Sequence, residues 1–235
     1  VLFDGTIGVT PISGAGTRMM WVPTKKAFRA GMTTGNQWDD INIGNYSVAF
    51  GINSKATGSS SFASGTTAYA TGNSSFSICS NNTASGTNSF AGGGANAASG
   101  DYSFVFGQTL TAQSSHSFVI GRNNIAPGTY SSTTWITTDP LFVIGNGAST
   151  TARNNDLTVL KNGNVLIDKA TQLNSTYKLD VNGKIRASEI VVNTTGADFV
   201  FEKSYMLMPL NVLEQKIKAE KHLPIPWLVF LKTER

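Results

Sequence analysis

The chain has 235 residues, of which 14% are charged, with a formal net charge of +4 and a pI of about 9.2. The basic excess is scattered through a mixed-charge C-terminal third rather than gathered into a stripe, which argues against a nucleic-acid partner. Cys79 is the single cysteine, so a disulfide framework and a cysteine metal site are excluded, and no apolar run reaches the length of a membrane span.

Starting at Val1 rather than Met, the chain reads as a processed or partial product. Residues 1–43 are polar and turn-rich, with Gly14-Ala15-Gly16 and Thr34-Gly35-Asn36 as punctuation and Trp21, Phe28 and Trp38 spaced between. They predict a short β-rich cap leading into a column of repeats, because the open end of such a column has to be covered.

From Gly44 the sequence repeats every fourteen residues. GNYSVAFGINSKAT, GSSSFASGTTAYAT, GNSSFSICSNNTAS, GTNSFAGGGANAAS, GDYSFVFGQTLTAQ and SSHSFVIGRNNIAP follow one another without a gap, and LFVIGNGAST returns from Leu141. A short fixed period is the mark of a solenoid. Position five is Val48, Phe62, Phe76, Phe90, Phe104 and Phe118; position seven includes Phe50, Ile78, Phe106 and Ile120. These positions share one face of a strand, and we expect them to form the core of the repeats. Position four is Ser throughout and position six is small, giving an opposite face smooth enough to pack against a second copy. Gly at positions one and eight supplies turns, so each copy reads as two short strands and two tight turns. One large apolar side chain per coil, at about 1.5–3 kcal/mol, is thin support for a free-standing column, and an oligomer is expected. Ser64 and Gly92 interrupt position seven and should leave coils two and four loosely filled. Cys79 stands at a repeat position favouring Gly and reads as a small buried side chain.

Residues 44–150 form the repeat unit, with an insertion at 128–137, GTYSSTTWIT. Inserted segments project from solenoids and often carry binding. Tyr130 and Trp135, amid Ser and Thr, are the candidate ligand-binding residues, able to stack on sugar rings; the bland alternative is that they pack down and close the roll. Tyr46, Tyr69 and Tyr102 are possible further adhesive surface. Residues 151–204 form a stem with alternating apolar residues and hairpin signals at Asn162-Gly163 and Asn182-Gly183. In residues 205–235, Pro209 suits a helix start, and Leu210, Leu213 and Ile217 fall on one face at a/d spacing, as a helix joining a trimer would place them.

SVAFGINSKATG, SFVFGQTLTAQ and SFVIGRNNIAPG resemble the SVAIG-x-x-S-x-A-x-G repeat of trimeric autotransporter adhesin heads, the YadA-like family. That resemblance implies a left-handed parallel β-roll, three chains around a threefold axis, and display outside the cell. LDVNGKI and ADFVFE with the later KHLP string resemble the stem that precedes the intramolecular chaperone of phage and bacterial tail-fibre proteins. The latter resemblance implies a chaperone domain after HLP, where this chain ends in IPWLVFLKTER.

Catalytic patterns are missing. No Ser or Cys has nucleophile spacing, and His116 and His222 lie in different segments without metal-ligand spacing. Asp39 and Asp40 are adjacent and point apart on a strand, unlike a glycosidase pair. Gly92-Gly93-Gly94 lacks the Gly-Lys-Ser/Thr ending of a phosphate loop. A fibre-borne glycan hydrolase would have only Asp101 and Asp139 as carboxylates in the repeats. The expected fold is therefore mainly β: a parallel β-roll of fourteen-residue repeats in a homotrimeric fibre, with a β-rich stem and a short C-terminal helix. The expected function is non-enzymatic attachment, as a phage-type or injection-system tail fibre, with a bacterial cell-surface adhesin or a self-associating filament subunit as alternatives. Its partners would be its own copies and a cell-surface glycan or protein receptor; no catalytic residue, cofactor, metal, nucleic acid or membrane insertion is expected.

Overall fold

The computed structural model describes residues 5, 7–172, 174–190 and 208–220. The chain divides into two units, Val1–Ile185 and Arg186–Arg235. In the first, β1 (Gly16–Val22) and β2 (Ala27–Thr33) form an antiparallel hairpin turned at Pro23–Lys25. Each coil then supplies one five-residue and one two-residue strand. In order these are β3 (Val48–Ile52), β4 (Lys55–Ala56), β5 (Phe62–Thr66), β6 (Tyr69–Ala70), β7 (Phe76–Ser80), β8 (Thr83–Ala84), β9 (Phe90–Gly94), β10 (Ala97–Ala98), β11 (Phe104–Gln108), β12 (Thr111–Ala112) and β13 (Phe118–Arg122). After the insertion come β14 (Pro140–Asn146), β15 (Asn155–Leu160), β16 (Val165–Ile167) and β17 (Leu179–Val181).

The long strands from β2 to β14 pair parallel in one sheet, and β4 to β12 pair parallel in a second. Equivalent residues lie directly over one another, Val48 against Phe62 and Ala56 against Ala70. The molecule is a β-solenoid whose coils are the fourteen-residue repeats. Two left-handed corners turn each coil. One is at the third position, where Tyr46, Ser60, Ser74, Asn88, Tyr102 and His116 all have φ between 52° and 59°. The other is at the tenth, where Asn53, Thr67, Asn81, Ala95, Thr109 and Asn123 have φ between 46° and 57°. Gly at position one has another cause: a Cβ on Gly58 would stand 1.8 Å from the carbonyl oxygen of Gly72.

The interior reverses the expected packing. Ala49, Ala63, Ser77, Ala91, Val105 and Val119 point inward from the long strands and meet Ala56, Ala70, Ala84, Ala98 and Ala112 from the short ones, all buried. The position-four serines are buried too; Ser47, Ser61, Ser75, Ser89 and Ser117 each donate Oγ–H to the carbonyl three residues back, at 2.6–2.7 Å. The residues expected as core, Val48, Phe50, Phe62, Phe76, Ile78, Phe90, Phe104, Phe106, Phe118 and Ile120, face outward, none fully buried. The small face is therefore the inside of the coil, and is closed to a second copy. Ordinary sheets pack about 10 Å apart around large side chains. A coil of fourteen residues with two tight corners is too narrow to enclose a phenyl ring at every level. Gly92 accordingly lies on the outer face and leaves no loose coil there: a Cβ on it would stand 3.0–3.3 Å from the Phe106, Phe90 and Ile78 side chains. Cys79 is exposed, contrary to the buried reading; its left-handed φ of 74° takes position eight out of the in-out alternation of the strand.

At the first coil Arg29 occupies the inward position in register with Ala49, fully buried. Its guanidinium donates to the carbonyls of Phe28, Ser47 and Ala56 and to Ser47 Oγ. Burial lowers its pKa to about 10, which leaves it charged at neutral pH. Trp38 is also fully buried and donates Nε1–H to the carbonyl of Ser54 at 2.8 Å. Hydrogen-bonded plugs thus occupy the N-terminal end of the lumen.

Asn162-Gly163 turns β15 into β16, with Gly163 at φ 82°. Asn182-Gly183 forms no hairpin among the described residues, since β17 pairs parallel with β16. In the second unit, α1 (Leu210–Glu220) has Leu213 and Ile217 half-buried and Leu210 exposed. Most of the expected stem end at 191–207, and the tail with His222 at 221–235, lie outside the described residues.

Candidate functional site

The outer wall carries one continuous row of rings. Phe28, Phe50, Phe62, Phe76, Phe90, Phe104, Phe118 and Phe142 follow one another at centroid separations of 4.5–5.9 Å. From Phe62 onward the rings lie near parallel. From Phe62 onward the row arises because in-register parallel pairing sets position five of each coil over that of the next; in the first coil, where position five is Val48, Phe50 at position seven bridges Phe28 and Phe62. Phe76 is 37% exposed, Phe118 41% and neighbouring Phe106 50%. A hollow of 240 Å³ between Met19, Met20, Trp21 and Phe28 continues the apolar wall at its N-terminal end.

The insertion is tied to the solenoid by backbone. Asp101 N–H donates to the carbonyl of Ser132 at 2.7 Å, and Ser115 N–H to that of Ser131 at 2.9 Å. Ser131 N–H donates to Asp139 Oδ2 at 2.8 Å, and Ser115 Oγ–H to the carbonyl of Thr134. The two candidate aromatics separate. Tyr130 is half-buried, its hydroxyl donating to the carbonyl of Ala170 at 3.4 Å. Burial, with the negative charge of Asp139 adding to it, pushes its pKa up to about 12. Trp135 stays 49% exposed. It meets His116 edge-to-face at 5.6 Å, and His116 stacks on Tyr102 at 4.7 Å. Lys161 Nζ lies 4.9 Å from the Trp135 ring centroid and donates to Ser115 Oγ at 3.2 Å.

Sequence reasoning paired Trp135 with Tyr130; the structure groups it with Tyr102 and His116. The signal was present, since Tyr102 and His116 both occupy position three, one repeat apart. The other carboxylates have structural partners. Asp101 Oδ1 accepts the Thr87 N–H at 2.7 Å, Asp39 the Gly14 N–H at 2.6 Å, and Asp40 pairs with Lys25 at 3.1 Å. The hydrogen bond from the Lys25 ammonium, foremost, with that from Thr10 and the Lys25 charge, holds the Asp40 carboxyl below its usual range against opposing desolvation. Among the described residues no three His, Cys, Asp or Glu side chains group as metal ligands.

Fold and surface together define a β-solenoid repeat protein. Compared with protein-family models, with curated proteins and with solved structures, the chain matches none.

Proposed function

We propose that this chain is a non-enzymatic, homotrimeric fibre protein that attaches its parent particle or cell to a surface, in the manner of a phage or injection-system tail fibre. The outward-facing phenylalanine row, half-buried except at the exposed Phe76 and Phe118, carries the reading. It is apolar, straight and periodic, and large exposed apolar stretches on soluble proteins mark interaction sites. A copy with the same fourteen-residue period, running in the same direction, matches it ring for ring. Cyclic association about an axis along the fibre preserves that match at every level. The resemblance to YadA-like heads favours three chains, as does the Leu210, Leu213 and Ile217 stripe of α1. The resemblance of the stem to tail-fibre stems favours a fibre on an extracellular particle.

Sedimentation equilibrium at micromolar concentration tests the assembly, with three times the 24.9 kDa chain mass expected. A monomer at that concentration overturns it. Retention of the labelled protein on intact bacterial cells tests attachment; self-association without retention by any cell would favour the filament-subunit alternative.

A further inference from the structure

We propose that Tyr102, His116 and Trp135 form a carbohydrate-stacking platform on the third-position corner of the solenoid. This assignment rests on the attachment reading and gives it a site and a ligand class. Tyr102 is 57% exposed and Trp135 49%, with His116 stacked on one face of Tyr102 and Lys161 over one face of Trp135.

The rings are held before any ligand arrives. Tyr102 and His116 sit at left-handed corners, with φ of 58° and 59°, whose backbone is fixed by Tyr102 N–H to Thr87 carbonyl and His116 N–H to Asp101 carbonyl bonds, both 2.7 Å. Trp135 is held through the bonds that tie Ser131, Ser132 and Thr134 to the coils. Little ordering entropy is left for binding to expend.

Composition along the corner points to a small ligand rather than to another copy of the chain. A self-association seam would be apolar along its whole length, as position five is from Val48 to Phe118. Position three is instead Ser60, Ser74 and Asn88 in the middle coils, and rings gather only where the insertion adds Trp135. Carbohydrate fits the periphery. The C–H face of a pyranose packs on an aromatic ring. Polar residues adjoin the rings in sequence and register: Asp101 precedes Tyr102, Asn88 holds the same corner one coil earlier, and Ser131, Ser132, Thr133 and Thr134 precede Trp135. Among the described residues Asp101 Oδ2 accepts no hydrogen bond. A nucleic-acid base would also stack, but beyond Lys161 at Trp135 the repeats add only Lys55 and Arg122 as basic residues, too few to track phosphates.

The test uses the full chain against immobilised bacterial lipopolysaccharide, mucin and xylan, before and after periodate oxidation of the sugar diols. We expect retention by at least one, lost after periodate. Trp135→Ala, Tyr102→Ala and His116→Ala should each weaken it about tenfold, while Ser74→Ala, the same repeat position in the third coil, leaves it unchanged. Circular dichroism and sedimentation mass should match the parent protein, and the three variants are separate so that one misfolded product does not decide the matter. Ring variants that bind as the parent does, binding that survives periodate, or retention by none of the three overturns the platform. If intact cells still retain the protein through a protein receptor, the attachment reading stands without it; if cells do not, both fall.

Discussion

Arg29 Nη2 donates to the carbonyl of Ala56 at 2.9 Å, joining the two walls of the solenoid at its first coil through a cation. Among the described residues Arg29 has no carboxylate partner. The carbonyls it meets have other donors, Phe28 N–H for Ser47 and Gly44 N–H for Ala56, so its volume matters more than its charge. Arg29→Ala should cost about 3 kcal/mol by leaving a cavity. Arg29→Met should stay within about 1 kcal/mol of the parent, because it fills the space and removes the desolvation penalty. Urea unfolding monitored by far-ultraviolet circular dichroism checks both.

The reversed packing makes a paired prediction. Ala91→Leu enlarges a side chain enclosed in the lumen and should destabilise by about 1–3 kcal/mol or more. Phe76→Ser, on the outer wall, should leave the coil folded and lower the sedimentation mass. A monomeric Ala91→Leu protein of normal stability would contradict this inside-outside assignment.

Buried amides brace the middle coils. Asn96 Oδ1 accepts the Leu110 N–H at 2.8 Å, and Asn96 Nδ2 donates to the carbonyls of Gly92 and Gly107 at 2.6 and 2.8 Å. Asn82 repeats the arrangement one coil earlier, accepting from Asn96 N–H at 2.9 Å. Asn96→Ala removes the acceptor of a buried amide donor and should cost about 2–3 kcal/mol, measured by denaturant titration. Hydrogen exchange of the Leu110 amide should accelerate.

Cys79 has φ 74°, at the repeat position where glycines such as Gly51 and Gly93 have φ 96°. Residues other than Gly, Asn and Asp are strained there. Cys79→Gly should raise stability by about 1 kcal/mol, which a thermal melt reads as a higher Tm.

Tyr130 sets an alkaline limit. Its folded pKa is raised from 10.0 to about 12, so the native state holds a proton that the unfolded state releases. The stabilisation is complete below pH 10 and is lost as pH rises from 10 to about 12. Titration at 295 nm should show one tyrosine ionising late, and Tyr130→Phe should abolish that component.

Much of the architecture was legible. The fourteen-residue period specifies a coil stacked in register, and the Asn162-Gly163 hairpin follows from turn chemistry; Gly at positions one and eight signals turns, but the left-handed corners fall at positions three and ten and Gly at position one answers to close stacking of the coils. Period-two alternation separates two faces of a strand without saying which is inside. Reading large as inside failed at Phe62 and its equivalents because enclosure depends on coil width, a property of the closed loop. Arg29 escaped notice although Phe28-Arg29-Ala30-Gly31 fits positions five to eight, since a lone cation in an Ala column looks like a break in the pattern. The partnership of Trp135 with His116 was hidden because Trp135 lies outside the repeat frame.

The plugs at Arg29 and Trp38 occupy one end, while every interior coil meets neighbours of the same kind. Nothing inside the column counts its own turns. Removing or duplicating a whole repeat, such as residues 72–85, preserves the backbone ladders, the corners and the row of rings, with the Asn82 brace lost or doubled, and changes the length by one strand spacing, about 4.8 Å. Reach is therefore a quantity that this fold can alter in fixed increments by repeat gain and loss, leaving both ends and the binding surface of the insertion untouched.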